Sequence, residues 1–208
     1  MKKYLWLTLM MSVAMPVGLM AQESETDLMS SSTFEGLEVR NIGPAYMSGR
    51  VADIAVDQKD PGTWYVAVAS GGVWKTVNAG TTWSPIFDEQ NVYSTGDVTI
   101  DPSNSDIIWV GTGENNGGRH IAFGDGVYKS INGGKTWTNM GLPNSEHVGD
   151  IVIHPDDSNT VWVSAQGPLW SKGGQRGVYK TTDGGKTWTN TLEIDEWTGG
   201  GSLAIDPS

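Results

Sequence analysis

The sequence predicts an all-β protein built from repeated units of four short antiparallel strands. Two observations carry this prediction. First, an eight-residue motif with the pattern Ser/Thr-x-Asn/Asp-x-Gly-x-Thr-Trp occurs three times, at residues 76–83, 130–137 and 181–188. Second, its tryptophans recur about every 50 residues, and extended segments fall at the same places in each interval. A period of this length is typical of folds in which each unit packs against its neighbours.

Each unit is predicted to contain the same elements in the same order. An apolar inner strand comes first, at residues 51–57, 96–102 and 149–155, and a second strand follows at residues 64–68, 108–112 and 161–165. The third strand reads Gly-Val-aromatic-Lys, at residues 72–75, 126–129 and 177–180. The motif then forms a hairpin turn, because Asn or Asp bonds nearby backbone N–H groups and Gly supplies positive φ. An outer strand completes the four-stranded antiparallel blade of a β-propeller.

The repeats predict blades over residues 50–90, 95–142 and 148–196, and residues from 199 onward begin a fourth. Propellers close with 4–8 blades. We therefore expect an incomplete β-propeller, three blades plus the first strand of a fourth, which is the N-terminal part of a longer protein. The remaining blades would come from its C-terminal part.

The eight-residue motif resembles the Asp-box, or BNR repeat, of sialidases, sortilin-type receptors, xyloglucan-cleaving glycosidases and photosystem assembly factors. Residues 43–50, Gly-Pro-Ala-Tyr-Met-Ser-Gly-Arg, are similar to the lead-in of large secreted bacterial proteins with a sortilin-type N-terminal propeller. The resemblance covers residues 35–208. It implies a β-propeller with Asp-box turns, of the sortilin N-terminal (VPS10-like) and BNR glycosyl hydrolase superfamily. It does not select an activity, because these families differ in function.

The N-terminus is typical of a secretory signal peptide over residues 1–21. Lys2 and Lys3 precede an apolar run at residues 4–20, and the small residue Ala21 comes just before a polar segment. The alternative is an uncleaved anchor. Residues 22–34, rich in Ser, Glu and Thr, are interpreted as a flexible lead, and residues 35–208 as the propeller segment.

The composition favours an extracytoplasmic location, which is periplasmic, cell-surface or secreted. The formal net charge is −11, and removal of the signal peptide would remove two lysines and no acidic residue. Such a charge disfavours nucleic acids and anionic membranes as partners. No hydrophobic stretch after the signal peptide is long enough to span a bilayer, and without Cys the chain forms no disulfides.

The candidate ligand-binding residues lie at the inner-strand starts and in two inserted loops. Asp53, Asp97 and Asp150 occupy equivalent positions, and two interpretations remain open. They form a carboxylate ring at the channel mouth that binds a cation or supplies an acid/base pair, or they only bond backbone N–H groups of the adjoining loop. The inserted loops are residues 113–124 and 166–176, and we expect them on the same face as the three Asp residues. Their candidate side chains are Glu114, Arg119, Trp170 and Arg176.

Other chemistry-bearing residues give weaker signals. The three histidines lack metal-ligand spacing, so no metal or cofactor is predicted. The box tryptophans are predicted to be blade core, and Lys75, Lys129 and Lys180 are interpreted as solvated strand residues. Trp170 and Trp197 fall outside the repeat pattern, and they would either stack on a sugar ring or pack within loops.

The residues that the related enzymes use for catalysis are not matched. Sialidases carry a Phe/Tyr-Arg-Ile-Pro motif, whereas residues 39–44 read Val-Arg-Asn-Ile-Gly-Pro. Xyloglucan-cleaving glycosidases carry a catalytic Asp in Thr-Asp-Ile-Gly-Gly, whereas residues 69–72 read Ala-Ser-Gly-Gly. We therefore expect recognition of a protein or carbohydrate ligand at the channel entrance, or a scaffold role. The alternatives are a glycoside hydrolase whose catalytic pair lies in other blades, and a structural assembly factor.

Overall fold

The computed structural model describes residue 36 and residues 49–118 and 120–206. Contacts divide the chain into two units, residues 1–41 and 42–208, and every described strand belongs to the second. The predicted signal peptide and flexible lead lie outside the described residues. In the part of the chain that is described, no helix is long and apolar enough to cross a membrane.

Twelve strands form three four-stranded antiparallel sheets, one for each repeat, and together they make an incomplete β-propeller, which confirms the predicted fold class. Blade one contains β1 Val51–Val56, β2 Trp64–Val68, β3 Gly72–Thr76 and β4 Ser84–Pro85. Blade two contains β5 Thr95–Ile100, β6 Ile108–Thr112, β7 Val127–Ser130 and β8 Thr138–Asn139. Blade three contains β9 Val148–His154, β10 Asp157–Ala165, β11 Gly177–Thr181 and β12 Thr189–Leu192.

The antiparallel order gives each blade two ends. The inner strands β1, β5 and β9 begin at one end, to which the links between second and third strands return, and we call it the loop end. The three Asp-box turns lie at the opposite end, the turn end. Residues 199–206, expected to begin a fourth blade, form no strand, since the described chain offers them no second strand with which to pair.

The hydrophobic core lies between blades rather than inside them. One buried cluster joins blades one and two, with members that include Tyr65, Phe87 and Val98, and Ile86 and Trp137 pack against it. A second joins blades two and three and contains Trp109 and Val127 together with Val148 and Ile151. Because a single twisted sheet cannot bury its own faces, each blade depends on its neighbours for burial.

The Asp-box turns are held by the same hydrogen bonds in all three copies. The hydroxyl of the first residue donates to the third residue's side chain, as in Ser130 Oγ to Asn132 Oδ1 at 3.0 Å. That same hydroxyl accepts the backbone N–H of the fifth residue, and the third side chain accepts that of the seventh. In the third copy, bonds from the Thr187 and Thr181 side chains and the Thr187 backbone N–H lower the pKa of Asp183. The motif residues therefore define the turn itself.

The sequence predicts that the box tryptophans are blade core, and two of them, Trp137 and Trp188, do pack against the core clusters, although they are only half-buried. Trp83, Trp137 and Trp188 are all half-buried, and the last two contact the preceding blade. Trp137 Nε1 donates to Ile86 O at 2.7 Å, and Trp188 Nε1 donates to Met140 O at 2.7 Å. The indole is amphipathic, so it seals the seam between blades with its ring and satisfies a carbonyl with its N–H.

Two of the three strand lysines are not solvated as expected. Lys75 Nζ donates to Gly133 O at 2.9 Å, and Lys129 Nζ donates to Gly184 O at 3.2 Å, so each bonds the box turn of the next blade. Burial lowers the pKa of both ammonium groups. These lysines therefore join consecutive blades.

We predict that Trp137→Ala lowers the free energy of unfolding by about 3 kcal/mol, the lower end of the range for truncating a large aromatic side chain. The physical reason is loss of its bond to Ile86 and of its edge contact with Phe87, whose ring centroid is 5.2 Å away. The measurement is denaturant unfolding. Trp83→Ala is the matched control, since Trp83 has no preceding blade in the described chain and should cost less. Equal losses for the two variants would contradict the seam assignment.

Candidate functional site

The candidate site at the loop end begins with a bulge in each inner strand. Strand pairing passes over one residue in all three: Ala52, Gly96 and Gly149 are left opposite no partner, each just before the conserved position of the Asp within the repeat. A bulge re-aims the side chain beside it. At Gly96 a Cβ atom would lie 2.5 Å from Gly113 O and 2.6 Å from Val148 O, so only Gly fits there.

The three carboxylates beside these bulges each accept a backbone N–H from the next inner segment. Asp53 Oδ2 accepts from Val98 N at 3.2 Å, and Asp97 accepts from the N–H of Ile151. Asp150 Oδ2 accepts from Leu203 N at 2.8 Å and from Ser202 Oγ at 2.9 Å. The structure thus brings the carboxylates together, and the contacts it shows are those of the second interpretation, bonds to the backbone of the adjoining segment.

Asp97 is electrostatically distinct from its two neighbours. It is 8% exposed, and its Oδ2 has no hydrogen-bond partner among the described residues. Burial raises its pKa well above the ordinary value, the negative charges of Asp53 and Asp150 raise it further, and the Ile151 N–H opposes them. A carboxyl group in this position favours its protonated form.

The blade-two loop is anchored by an ion pair between a buried carboxylate and a partly exposed arginine. Glu114 is 1% exposed, its backbone N–H donates to Ser94 Oγ at 2.9 Å, and Arg50 Nε donates to its Oε1 at 2.5 Å. Arg50 Nη2 contacts the same oxygen, while the Arg50 side chain is 54% exposed. The expected exposure of Glu114 toward a ligand is therefore not observed, because its carboxylate is spent on holding Arg50 at the surface.

Two amides connect the loops to the inner strands. Asn115 Nδ2 donates to Gly96 O at 2.8 Å and to Gly149 O at 3.0 Å, and Gln166 Nε2 donates to Asn115 O at 3.1 Å. Both inserted loops therefore start beside Asp97 and Asp150, as expected. Sequence analysis did not single out these amides, although their place at the start of each insertion was a usable signal.

A buried histidine lies under the blade-two loop. His147 is 1% exposed, and its Nδ1–H donates to Glu114 O at 2.9 Å. The ring of Phe123 meets it edge-on, with centroids 6.3 Å apart, and burial lowers the pKa of the imidazole. No group of His, Cys, Asp and Glu among the described residues is arranged to hold a metal ion.

Arg176 organises the blade-three loop. It is 6% exposed, and its guanidinium donates to five backbone carbonyls, those of Gln166, Pro168, Ser171, Gly173 and Trp197. The planar guanidinium presents several N–H donors, and these bonds hold the loop in one conformation. Arg176 also lines the cavity beside Trp197, so its contact with a ligand stays a prediction.

Four exposed aromatic side chains lie at this end among the described residues: Tyr93, Phe123, Trp170 and Trp197. Trp170 is 78% exposed and Trp197 is 60% exposed. Trp197 lines an open cavity of about 310 Å³, with Gln166, Leu169, Arg176 and residues 199–201 among its other walls. Arg119, the remaining candidate, lies outside the described residues.

Comparison with known proteins identifies the family. The sequence model of the sortilin-Vps10 family, described as sortilin, neurotensin receptor 3, matches residues 71–196, more than half of the chain. The chain belongs to this family. Its repeats, its blades and its Asp-box turns agree with that assignment.

The similar proteins also include enzymes. A xyloglucanase of Paenibacillus sp is 28% identical over 177 residues, which are 74% of this chain and 17% of that protein. A xyloglucanase of Hypocrea jecorina (strain QM6a) is 25% identical over 173 residues, which are 65% of this chain and 19% of that protein. The chain thus spans only a small part of the curated relatives that it matches.

Among solved structures, an ancestral GH74 enzyme is similar in fold. It superposes with a TM-score of 0.54 at 23% identity, over 70% of this chain and 19% of that one. At this identity the similarity supports the propeller fold and does not identify an activity.

We predict that Asp97→Asn raises the free energy of unfolding at neutral pH. A group whose folded pKa is raised stabilises the fold fully below its unfolded pKa and loses that contribution as the pH rises through the folded value. The amide removes the charge and keeps an acceptor for Ile151 N–H, so its advantage should disappear in acid. Unfolding by urea across acidic and neutral pH measures this difference.

Asp97→Ala is the matched control for that experiment. It removes both the charge and the acceptor of Ile151 N–H, and it should therefore destabilise relative to Asp97→Asn at every pH. If Asn and Ala give the same stability, Asp97 does not act as an acceptor between blades. If Asp97→Asn destabilises most at neutral pH, the direction assigned to the pKa is wrong.

Proposed function

We propose that this chain is the recognition segment of a larger propeller, and that its loop end binds a carbohydrate or protein ligand. The observation that carries the proposal is that some loop side chains hold the loops in place while others remain exposed. Glu114, Asn115 and Arg176 spend their polar atoms on fixing the loops, whereas Arg50 and Trp170 remain exposed on that fixed frame. Exposed side chains on loops held by a rigid scaffold are typical of binding sites.

A polysaccharide is the ligand class that we favour. Two relatives are named xyloglucanases, and Trp170 and Trp197 offer the flat apolar faces on which sugar rings stack. The open cavity beside Trp197 has polar walls from Gln166 and Arg176, which suit hydroxyl-rich ligands. The acidic charge of the chain is compatible with an uncharged glycan.

We predict that Trp170→Ala weakens binding to xyloglucan about tenfold, the effect expected for truncating an exposed aromatic anchor at an interface. Isothermal titration calorimetry on the folded protein measures the affinity. Ile131→Ala is the matched control, because Ile131 is also exposed (69%) but lies in a box turn at the turn end. Binding that survives Trp170→Ala and is lost with Ile131→Ala would place the ligand elsewhere.

Polysaccharide hydrolysis is the second candidate, favoured by the same two xyloglucanase relatives. Glycosidases need two carboxyl groups placed about the scissile bond. Asp53, Asp97 and Asp150 are each committed to a backbone N–H, and Glu114 is committed to Arg50. In this second candidate function, at least one carboxylate of the catalytic pair would come from blades outside this chain.

The two functions are separated by incubating the protein with xyloglucan and measuring released reducing ends. The recognition proposal expects binding without release, whether or not Asp97 is replaced by Asn. Release that is lost with Asp53→Asn, Asp97→Asn or Asp150→Asn would favour hydrolysis by these blades and contradict their purely structural use.

Export and blade completion form part of the same proposal. The predicted signal peptide over residues 1–21 would deliver the chain to the periplasm, the cell surface or the medium, where polysaccharide is encountered. Further blades would complete the ring around the channel. N-terminal sequencing of the exported protein tests the first point, since a mature chain beginning with Met1 would contradict cleavage.

A further inference from the structure

A lysine lies over an aromatic ring at the same place in every blade. The two residues are cross-strand partners on the second and third strands: Tyr65 with Lys75, Trp109 with Lys129, and Trp162 with Lys180. The ammonium lies 5.0, 4.9 and 4.8 Å from the respective ring centroids. We call each pair a socket.

The sockets of blades one and two are occupied by the Asp-box turn of the next blade. Lys75 Nζ and Tyr65 Oη both donate to Gly133 O, at 2.9 and 3.3 Å. In the second socket Lys129 Nζ donates to Gly184 O at 3.2 Å, and a Cβ at Gly185 would lie 2.6 Å from Trp109 Cη2. Gly133 and Gly184 have φ of +68° and +73°, the left-handed conformation that turns their carbonyls toward the lysine.

A box turn that occupies a socket connects two blades through a single glycine residue. Gly133 N donates to Asp106 O in its own blade at 2.9 Å, while Gly133 O accepts from the preceding blade. Gly184 repeats this with Asn159 O at 3.0 Å and with Lys129. The partner that fits a socket is therefore an Asp-box turn, which offers a carbonyl and a surface without side chains.

The third socket is complete in its own residues but less buried than the others. Tyr65 and Trp109 are 2% and 0% exposed, whereas Trp162 is half-buried and is covered on one side by the stacked ring of His154. Val178, beside Lys180, is half-buried, although the equivalent Val73 and Val127 are fully buried. No box turn follows residue 188 in the described chain.

The contacts of Asp150 indicate which partner belongs there. Leu203 N donates to Asp150 just as Val98 N donates to Asp53, so residues 202–203 already hold the inner position of a following blade. A second copy of this chain, docking through its own blade one, would need β1 in that same position. Residues 202–203 therefore disfavour a second copy.

We propose that Trp162 and Lys180 form a docking socket for the Asp-box turn of a fourth blade, whose Gly carbonyl accepts a hydrogen bond from Lys180 Nζ. The docked turn covers Trp162 as the two earlier turns cover Tyr65 and Trp109. We call this contact between a Lys–aromatic pair and the Asp-box turn of the next blade a latch, and it repeats from blade to blade.

The probe for this proposal is a backbone-cyclised peptide with residues 126–139, which carries the second Asp-box and no copy of Lys180. Protection of its Thr136 amide first confirms that the turn is formed. The readout is the rate of trace acetylation of each lysine in the protein, followed by mass spectrometry. Without peptide, Lys180 should react several-fold faster than Lys75 and Lys129. With peptide, its rate should fall toward theirs, while the rate at exposed Lys186 stays constant.

Matched variants test the latch itself. Lys180→Met keeps the apolar stem and removes the donor, and it should weaken peptide binding about tenfold, as expected for one lost bond to a charged group. The indole N–H signal of Trp162 reports this binding by NMR. Lys186→Met should leave peptide binding unchanged. A peptide carrying Asn132→Ala lacks the acceptor for Thr136 N–H, and it should not bind measurably.

Three results would overturn the proposal. A folded peptide that leaves Lys180 acetylation unchanged at millimolar concentration would exclude an Asp-box partner. Protection of Lys180 that rises with protein concentration, without peptide, would assign the socket to a second copy. If Lys180→Met and the unchanged protein bind the peptide equally, Lys180 does not donate a hydrogen bond to the docked turn.

Discussion

Packing between consecutive blades is the constraint on which the rest of this structure depends. Each sheet buries its apolar side chains against the next, and the buried clusters therefore span blade boundaries. Polar groups follow the same rule: Trp137, Lys75 and Asp53 each bond the backbone of an adjacent blade. A blade taken from this arrangement would expose one face and leave backbone groups unpaired, which is costly in an interior.

The repeated bonds between consecutive blades occur at three distances from the propeller axis, and each has a different chemistry. Near the channel a carboxylate accepts an N–H, in the middle of the turn end a lysine donates to a carbonyl, and at the periphery an indole N–H donates to another carbonyl. Only the first carries negative charge, so stacking successive blades brings carboxylates together. Burial raises the pKa of Asp97, and the negative charges of Asp53 and Asp150 that this repetition places nearby raise it further.

The loop end shows how a repeat fold can vary its loops without changing its frame. Blade one has a short link between its second and third strands, whereas blades two and three have insertions that Glu114 and Arg176 fix from beneath. Conserved turn chemistry at one end leaves the other end free to vary. The recognition proposed for the loop end and the docking proposed for the turn end are therefore separable, and a substitution at one end need not disturb the other.

The sequence by itself determined the blades, since turn motifs and strand segments are local patterns that hydrogen bonds within a few residues enforce. It also located the inserted loops and the three Asp positions. Only the tertiary structure decided what Glu114, Arg176, Lys75 and the box tryptophans do, because their partners lie in other blades or across a loop. A lysine that is solvated in an isolated strand becomes a half-buried donor once the next blade places a carbonyl beside it, and a local sequence pattern cannot predict that contact.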